Sequence, residues 1–298
     1  MNQPIAANGK HPRGLYVLFF TEMWERFGYY LMIGIYLLYL TDTVSHGGRG
    51  MDNTSAISIV GTYVALIYLT PFIGGLIADR YLGYVKSIFI GGALMAIGYF
   101  LIAVNGSDSL MYTALLFVIV GNGFFKPNIS TLLGNIYNRP DLKPKKDIAY
   151  NIFYMGINIG AFVCNFVAAF LRNNYSWNYA FAAAGFGMVL GTIWFAFGVK
   201  HIKSADVIKP VTKEDMPISK IVVGVFLPAI IAGAIGWFIP GNILGSDSND
   251  AFIFACIPII IFYFSIWHKA KGFEKKRIST LLILFGVSII FWNIYNQN

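Results

Sequence analysis

Residues 21–30, TEMWERFGYY, place Glu22, Glu25 and Arg26 inside a run that otherwise reads as a membrane span. The apolar stretch 15–40 is long enough to cross, because about 20 residues at ~1.5 Å each cover a hydrocarbon core of ~30 Å. On a helix, positions 22, 25, 26, 29 and 30 fall at i, i+3, i+4, i+7 and i+8, so Glu22, Glu25, Arg26, Tyr29 and Tyr30 share one face. An ion near the centre of a spanning helix costs roughly 2.5–3.5 kcal/mol, so these charges must face protein or water and pair with each other. The stripe is therefore expected to line an internal cavity. A buried Glu/Arg pair that only fixes helix packing is the competing reading; the surplus carboxylate and the two tyrosines favour a site.

Lys126, in GNGFFKPNIS (residues 121–130), is the other charge deep in an apolar run, and Pro127 removes a backbone donor beside it, so the helix should bend there. Counted from the end near Leu110, Lys126 lies at a depth similar to that of the Glu22–Arg26 group, and intramembrane charges tend to pair. Lys126 is therefore expected to face Glu22 or Glu25 across the cavity. A lysine reaching to the nearer membrane surface is the alternative. Asn158, in the middle of the run 150–171, is either a clamp between helices or a ligand contact. Gly156 and Gly160 beside it, like Gly187 and Gly191 in the next run, have the spacing of close helix contact. Tyr63 and Tyr68 add hydroxyls to the run 56–78, with Tyr68 the better candidate for the cavity.

The helices that position these residues follow from composition. A net charge of +8, 12% charged, 57% hydrophobic and 17% aromatic residues describe a polytopic membrane protein, all α-helical, and exclude a soluble domain with one core. The apolar runs give spans near 15–40, 56–78, 87–104, 110–137, 150–171, 177–198, 219–239, 251–268 and from 278 onward. Alternate connections carry Lys10 and Arg13, then Arg80 and Lys86, then Arg139 with Lys143, Lys145 and Lys146, then the lysines of 200–220, then those of 269–277 with Arg277. The opposite connections have Arg49 and Arg172 only. The bias of basic residues to the inner side puts the N-terminus in the cytoplasm. The cluster 143–146 suits a loop touching anionic headgroups rather than nucleic acid, and no nucleic-acid partner is expected. Cys164 and Cys256 sit within spans as small apolar residues, so neither a disulfide nor a metal site is expected. No HExxH, GxxxxGK[ST] or CxxC pattern is present, which leaves enzyme chemistry little support, and from the polar residues before Leu15 no cleaved signal peptide is expected.

The run 74–83, GGLIADRYLG, resembles the signature loop of the major facilitator superfamily, in which the acid, here Asp79 beside Arg80, helps latch the cytoplasmic gate. Together with Glu22-x-x-Glu25-Arg26-Phe27-x-Tyr29-Tyr30, Gly-x-Phe-Phe-Lys126-Pro-Asn and Phe153-Tyr154-x-x-Ile157-Asn158-x-Gly160, it resembles the proton-dependent oligopeptide transporter family of that superfamily, over essentially the whole chain. The resemblance implies a multi-pass protein of the bacterial inner membrane that imports di- and tripeptides with protons, by alternating access and without a cofactor. It implies that Arg26, with Lys126, binds the peptide carboxylate. Tyr29, Tyr30, Tyr68 and Asn158 would contact the peptide, Trp292 would line a side-chain pocket, and Glu22 and Glu25 would belong to the proton-linked salt-bridge network with Arg26 and Lys126. It also accounts for the runs 219–239 and 251–268 as the two extra helices of prokaryotic members.

The domain reading is a cytoplasmic N-terminus at 1–14, a six-helix bundle at 15–198, a cytoplasmic linker at 199–218, two inserted helices at 219–269 and the start of the seventh core helix at 278–298. The C-terminal bundle is then the missing partner, because one bundle cannot enclose a midplane site, and the 298 residues are expected to be the N-terminal part of a longer protein. Two departures from the family pattern bear on function. Asn296 stands four residues after Trp292 where the family usually has an acid, and Gly61 stands where animal members carry a histidine. Transport of another solute on the same scaffold, such as nitrate or a zwitterionic drug, and peptide reception without transport are the rival functions.

Overall fold

The computed structural model describes residues 10–104, 106–208, 216–241, 243 and 247–295, and among these the regular structure is helical, with no strand. The chain divides into two compact units, residues 1–211 and 212–298. The first contains α1 (Arg13–Thr41), α2 (Asn53–Ile77), α3 (Tyr84–Ile102), α4 (Asp108–Ile136), α5 (Lys146–Asn174) and α6 (Trp177–Gly198). The second contains α7 (Ile218–Ile221), a π-helical stretch at Val222–Phe226, α8 (Leu227–Phe238), α9 (Asp247–Lys269) and α10 (Gly272–Tyr295). Seven helical segments among the described residues are long and apolar enough to cross a membrane: Asn53–Leu82, Tyr84–Ile102, Asp108–Ile136, Lys143–Asn174, Trp177–His201, Ile218–Phe238 and Asn249–Lys269. At 29 residues α1 has the length as well, about 43 Å, but carries the three charges.

In the first unit α1 packs on α5 and α6, α3 on α4 and α6, and α2 on α4. Close approach of α5 to α1 depends on Gly160: a Cβ there would lie 2.4 Å from the Met23 carbonyl oxygen and 3.3 Å from Arg26 Cβ. The predicted Gly156 and Gly160 pair, and Gly187 and Gly191 of α6, therefore all abut α1, against Phe19, Met23, Phe27 and Trp24. These glycines set α5 and α6 around the charged turn of α1.

Two prolines tie α2 to α4. Pro71 has no N–H, which frees the Ile67 carbonyl four residues earlier. Asn122 of α4 donates its Nδ2 to that carbonyl at 2.9 Å, and Thr70 Oγ1 donates to the Ile119 carbonyl at 3.0 Å. Pro127 frees the Gly123 carbonyl in the same way, and Gly74 of α2 packs directly over it; a Cβ at Gly74 would lie 2.0 Å from that oxygen. Each helix thus covers the carbonyl that the other's proline exposes.

The predicted turn after α2 is a π-helical stretch, Ala78–Leu82, closed by Gly83 at φ +78°. Asp206 caps α3 by accepting from the N–H groups of Tyr84 at 2.6 Å and Val85 at 3.2 Å. In the second unit α8 and α9 pack as a hairpin. Trp267 Nε1 of α9 donates to Ser279 Oγ of α10 at 2.8 Å. The seventh core span, read from 278, begins as a helix at Gly272, so Lys275, Lys276 and Arg277 lie in its first turns instead of in a loop. An apolar period cannot register those turns, because their side chains are charged.

Candidate functional site

Arg26 is held by its own helix. Its Nε and Nη2 donate to the two carboxylate oxygens of Glu25, a fork-to-fork pair, and Nε lies 3.3 Å from Glu22 Oε1. Glu22, Glu25 and Arg26 are 1%, 0% and 3% exposed. The ring of Tyr29, one turn on, sits 4.5 Å from the guanidinium carbon, and the ring of Tyr30 meets that of Tyr29 edge to face at 5.1 Å. One guanidinium between two carboxylates leaves an acceptor over, and Glu22 Oε2 is buried without a protein hydrogen-bond partner. An unsatisfied buried oxygen of this kind costs about 1–3 kcal/mol, more when charged. A proton or a second cation therefore has a place to act.

Lys126 is where the second cation would be expected. Lys126 is half-buried and interacts electrostatically with Arg26, Glu22 and Glu25, but among the described residues it forms no ion pair within 4.0 Å. Residue counting along α4 addresses depth; contact also depends on rotation about the helix axis. The consequence is that both nearby carboxylates are claimed by Arg26, and the ammonium is left available to another anion.

The remaining predicted contacts form an open face beside the buried cluster. Tyr30 interacts electrostatically with Arg26, with Tyr68 of α2 and with Tyr154 of α5. Tyr68 and Tyr154 are exposed, as is Asn158, one turn after Tyr154. Tyr29 interacts with Tyr68 from the buried side. α1, α2 and α5 thus bring Arg26, Tyr29, Tyr30 and Tyr68 together, with Asn158 on the exposed side of α5. Trp292 and Asn296 fall outside the described side chains. At the other predicted site, Tyr84 Oη donates to Asp79 Oδ1 at 2.7 Å, and Arg80 makes no ion pair with Asp79 among the described residues. Sequence reasoning missed Tyr84 and Asp206 here, although the aromatic residue just after a Gly-ended turn and an acid early in a lysine-rich linker were visible. No cluster of potential metal ligands occurs among the described residues.

The family model PTR2, described as the POT family, matches residues 85–298. The chain belongs to the POT family. It is 36% identical over 291 residues to the uncharacterized transporter YclF of Bacillus subtilis (strain 168), covering 96% of this chain and 58% of that protein. It is 31% identical over 297 residues to the di-/tripeptide transporter of Lactococcus lactis subsp. cremoris, with 96% and 59% covered. A crystal structure of a peptide transporter POT in complex with sulfate superposes with a TM-score of 0.76 at 32% identity, over 96% of this chain and 59% of that one. The chain therefore spans under two thirds of the length of the POT proteins it matches, and the charged turn of α1 lies before the stretch matched by the family model.

Proposed function

We propose that this POT chain is the N-terminal part of a proton-coupled symporter that imports di- and tripeptides across the bacterial inner membrane. The observation that carries the reading is the Glu22–Glu25–Arg26 cluster: fully buried, one carboxylate in excess of its guanidinium, and adjoining an open face of tyrosines. A zwitterionic peptide needs a cation for its carboxylate. Lys126 supplies it, and Arg26 joins once a proton on Glu22 or Glu25 loosens its pairing. Tyr29, Tyr30, Tyr68 and Asn158 contact the peptide backbone or side chains. Release to the cytoplasm returns the proton and restores the pairs.

The N-terminus and the basic connections face the cytoplasm, Asp79 and Arg80 serve the gate on that side, and a C-terminal bundle closes the cavity by rocking against this one. One positive charge moving inward yields about 2.3 kcal/mol per 100 mV, enough for roughly a fiftyfold peptide gradient. The driving ion is the proton, and the reading needs no metal or organic cofactor.

The test is uptake of labelled dialanine into liposomes containing the full-length protein, with and without an inward proton gradient. Lys126→Ala should cut gradient-driven uptake about 10- to 100-fold, the range for a lost hydrogen bond to a charged group of ~1.5–3 kcal/mol. Glu22→Gln should abolish the response to the gradient. Intact gradient-driven uptake in Lys126→Ala would sink the cycle, and displacement of dialanine by free amino acids or nitrate would point to another solute.

A further inference from the structure

One buried polar feature extends well beyond the residues assigned to the peptide. Glu25, Tyr29, Met32, Tyr36 and Tyr39 follow each other on α1 at spacings of 4, 3, 4 and 3, which puts them on one stripe that rises about 21 Å along the helix. All five are buried. The stripe is broken at Met32, and there two tyrosines from other helices come in. Tyr63 of α2 has its ring 6.1 Å from that of Tyr36, and Tyr99 of α3 lies against α1 at Gly28, where a Cβ would be 3.1 Å from its ring. The Tyr63 hydroxyl interacts electrostatically with those of Tyr99, Tyr29 and Tyr36, and Tyr99 interacts with Glu25, Arg26 and Tyr29.

The hydroxyls of Tyr36, Tyr63 and Tyr99 are all buried without a protein hydrogen-bond partner. Three such groups in one cluster are too many to leave to chance, since an unpaired buried hydroxyl costs about 1–3 kcal/mol and natural interiors pair theirs with protein or ordered water. A phenylalanine at each position would supply the same packing without that cost. At the far end the series reaches the surface. Tyr36 and Tyr39 stack at 6.2 Å, and Tyr39 borders a cavity of about 10 Å³ with Arg49, Gly106 and Met111, the space of about one water molecule. Arg49 there is paired with Asp108, whose side chain is exposed, and Tyr112 also interacts with Tyr36.

We infer that Tyr39, Tyr36, Tyr63 and Tyr99 form a hydrated hydrogen-bonded path that carries the coupling proton from the Arg49–Asp108 surface to Glu25, inside the six-helix unit and separate from the peptide face. Each step conserves charge: a hydroxyl oxygen bonds the arriving proton as its own O–H bond breaks and passes that proton to the next water or hydroxyl. Every tyrosine is neutral before and after. The proton ends on a Glu25 oxygen, which loses its negative charge and loosens its fork with Arg26. The charged groups around the two ends are Arg49 and Asp108 outside and Glu22, Glu25, Arg26 and Lys126 inside, with Tyr29 and Tyr112 the neighbouring hydroxyls. The path rests on the proton-coupled reading above.

The experiment uses the full-length protein in liposomes, comparing proton-driven uptake of labelled dialanine with gradient-free exchange of labelled for unlabelled dialanine. In Tyr63→Phe and Tyr99→Phe, proton-driven uptake should fall about tenfold, the factor for ~1.4 kcal/mol of added barrier, while exchange stays within about twofold of wild type. Uptake that keeps its wild-type rate in the double variant overturns the path and leaves the symport reading standing. A wild type that ignores the gradient overturns both. Thermal stability gives a readout free of transport: a hydroxyl bonded to water is lost at a cost, so Tyr63→Phe should lower the Tm, whereas a raised Tm would mean a dry, unpaired hydroxyl and no path.

Discussion

Replacing Gly160 by alanine tests whether the α1–α5 contact is what positions the charged turn. The new Cβ would stand 2.4 Å from the Met23 carbonyl oxygen and 3.0 Å from the Phe27 nitrogen, backbone atoms that no rotamer change can move. An ordinary contact is about 1 Å longer, so α5 must retreat by that order. Overpacking of this kind costs about 1–3 kcal/mol, and the rigid backbone places it near the upper end. Alanine returns about 1 kcal/mol through its higher helix propensity, which leaves a net loss of about 1–2 kcal/mol. Gly34→Ala at the same helix pair is the control: its Cβ would meet only Asn165 Oδ1, at an ordinary 3.4 Å. Gly34→Ala should therefore keep or raise the Tm of the purified protein, while Gly160→Ala lowers it and weakens peptide uptake by shifting Tyr154 and Asn158 away from Arg26. Equal Tm values for the two variants would refute the close-contact reasoning.

Asn122→Leu should destabilise by about 1–3 kcal/mol, because the Ile67 carbonyl freed by Pro71 loses its donor. Adding Pro71→Ala supplies the missing N–H from within α2, so the double variant should recover part of the Tm; additive losses would show that Asn122 does something else. Asp52 caps α2 by accepting from the Ser55 N–H at 3.0 Å, and hydrogen bonds from Ser55, side chain and backbone, hold its carboxyl below the usual aspartate range. A carboxyl held down in this way contributes stability above its unfolded pKa and loses it as the pH falls through the folded one. Asp52→Ala should thus melt lower than wild type at neutral pH, with the gap closing as the pH drops below about 3.9; a gap independent of pH would remove the carboxylate from the argument.

The parts of the molecule that depend on period and spacing were legible in the sequence. The apolar runs are helices, the Gly156–Gly160 and Gly187–Gly191 spacings are contacts with α1, and the shared face of Glu22, Glu25, Arg26 and Tyr29 is real. What spacing along one helix cannot give is rotation relative to another. It set the depth at which Lys126 interacts with Glu22 and Glu25, and left open that the ammonium stops short of a contact ion pair with either among the described residues. Nor could it say which carboxylate takes the guanidinium: Glu22 and Glu25 are both within reach on the helix, and it is the adjacent Glu25 that takes both donors of the fork. Tyr99 and Asn122 raised no signal, because an isolated polar residue in an apolar run acquires a role only from what the neighbouring helix presents.

The pairing of Arg26 with Glu22 and Glu25 is complete within little more than one turn of a single helix. It needs no second span, no ligand and no other half of the protein, and so it can exist as soon as α1 itself is helical. A chain entering the bilayer from its N-terminus would present this turn as one net negative charge already wrapped around its counter-ion, instead of three separate ions each needing a partner not yet made. The charged turn of α1 can therefore sit in apolar surroundings before any other helix has packed against it.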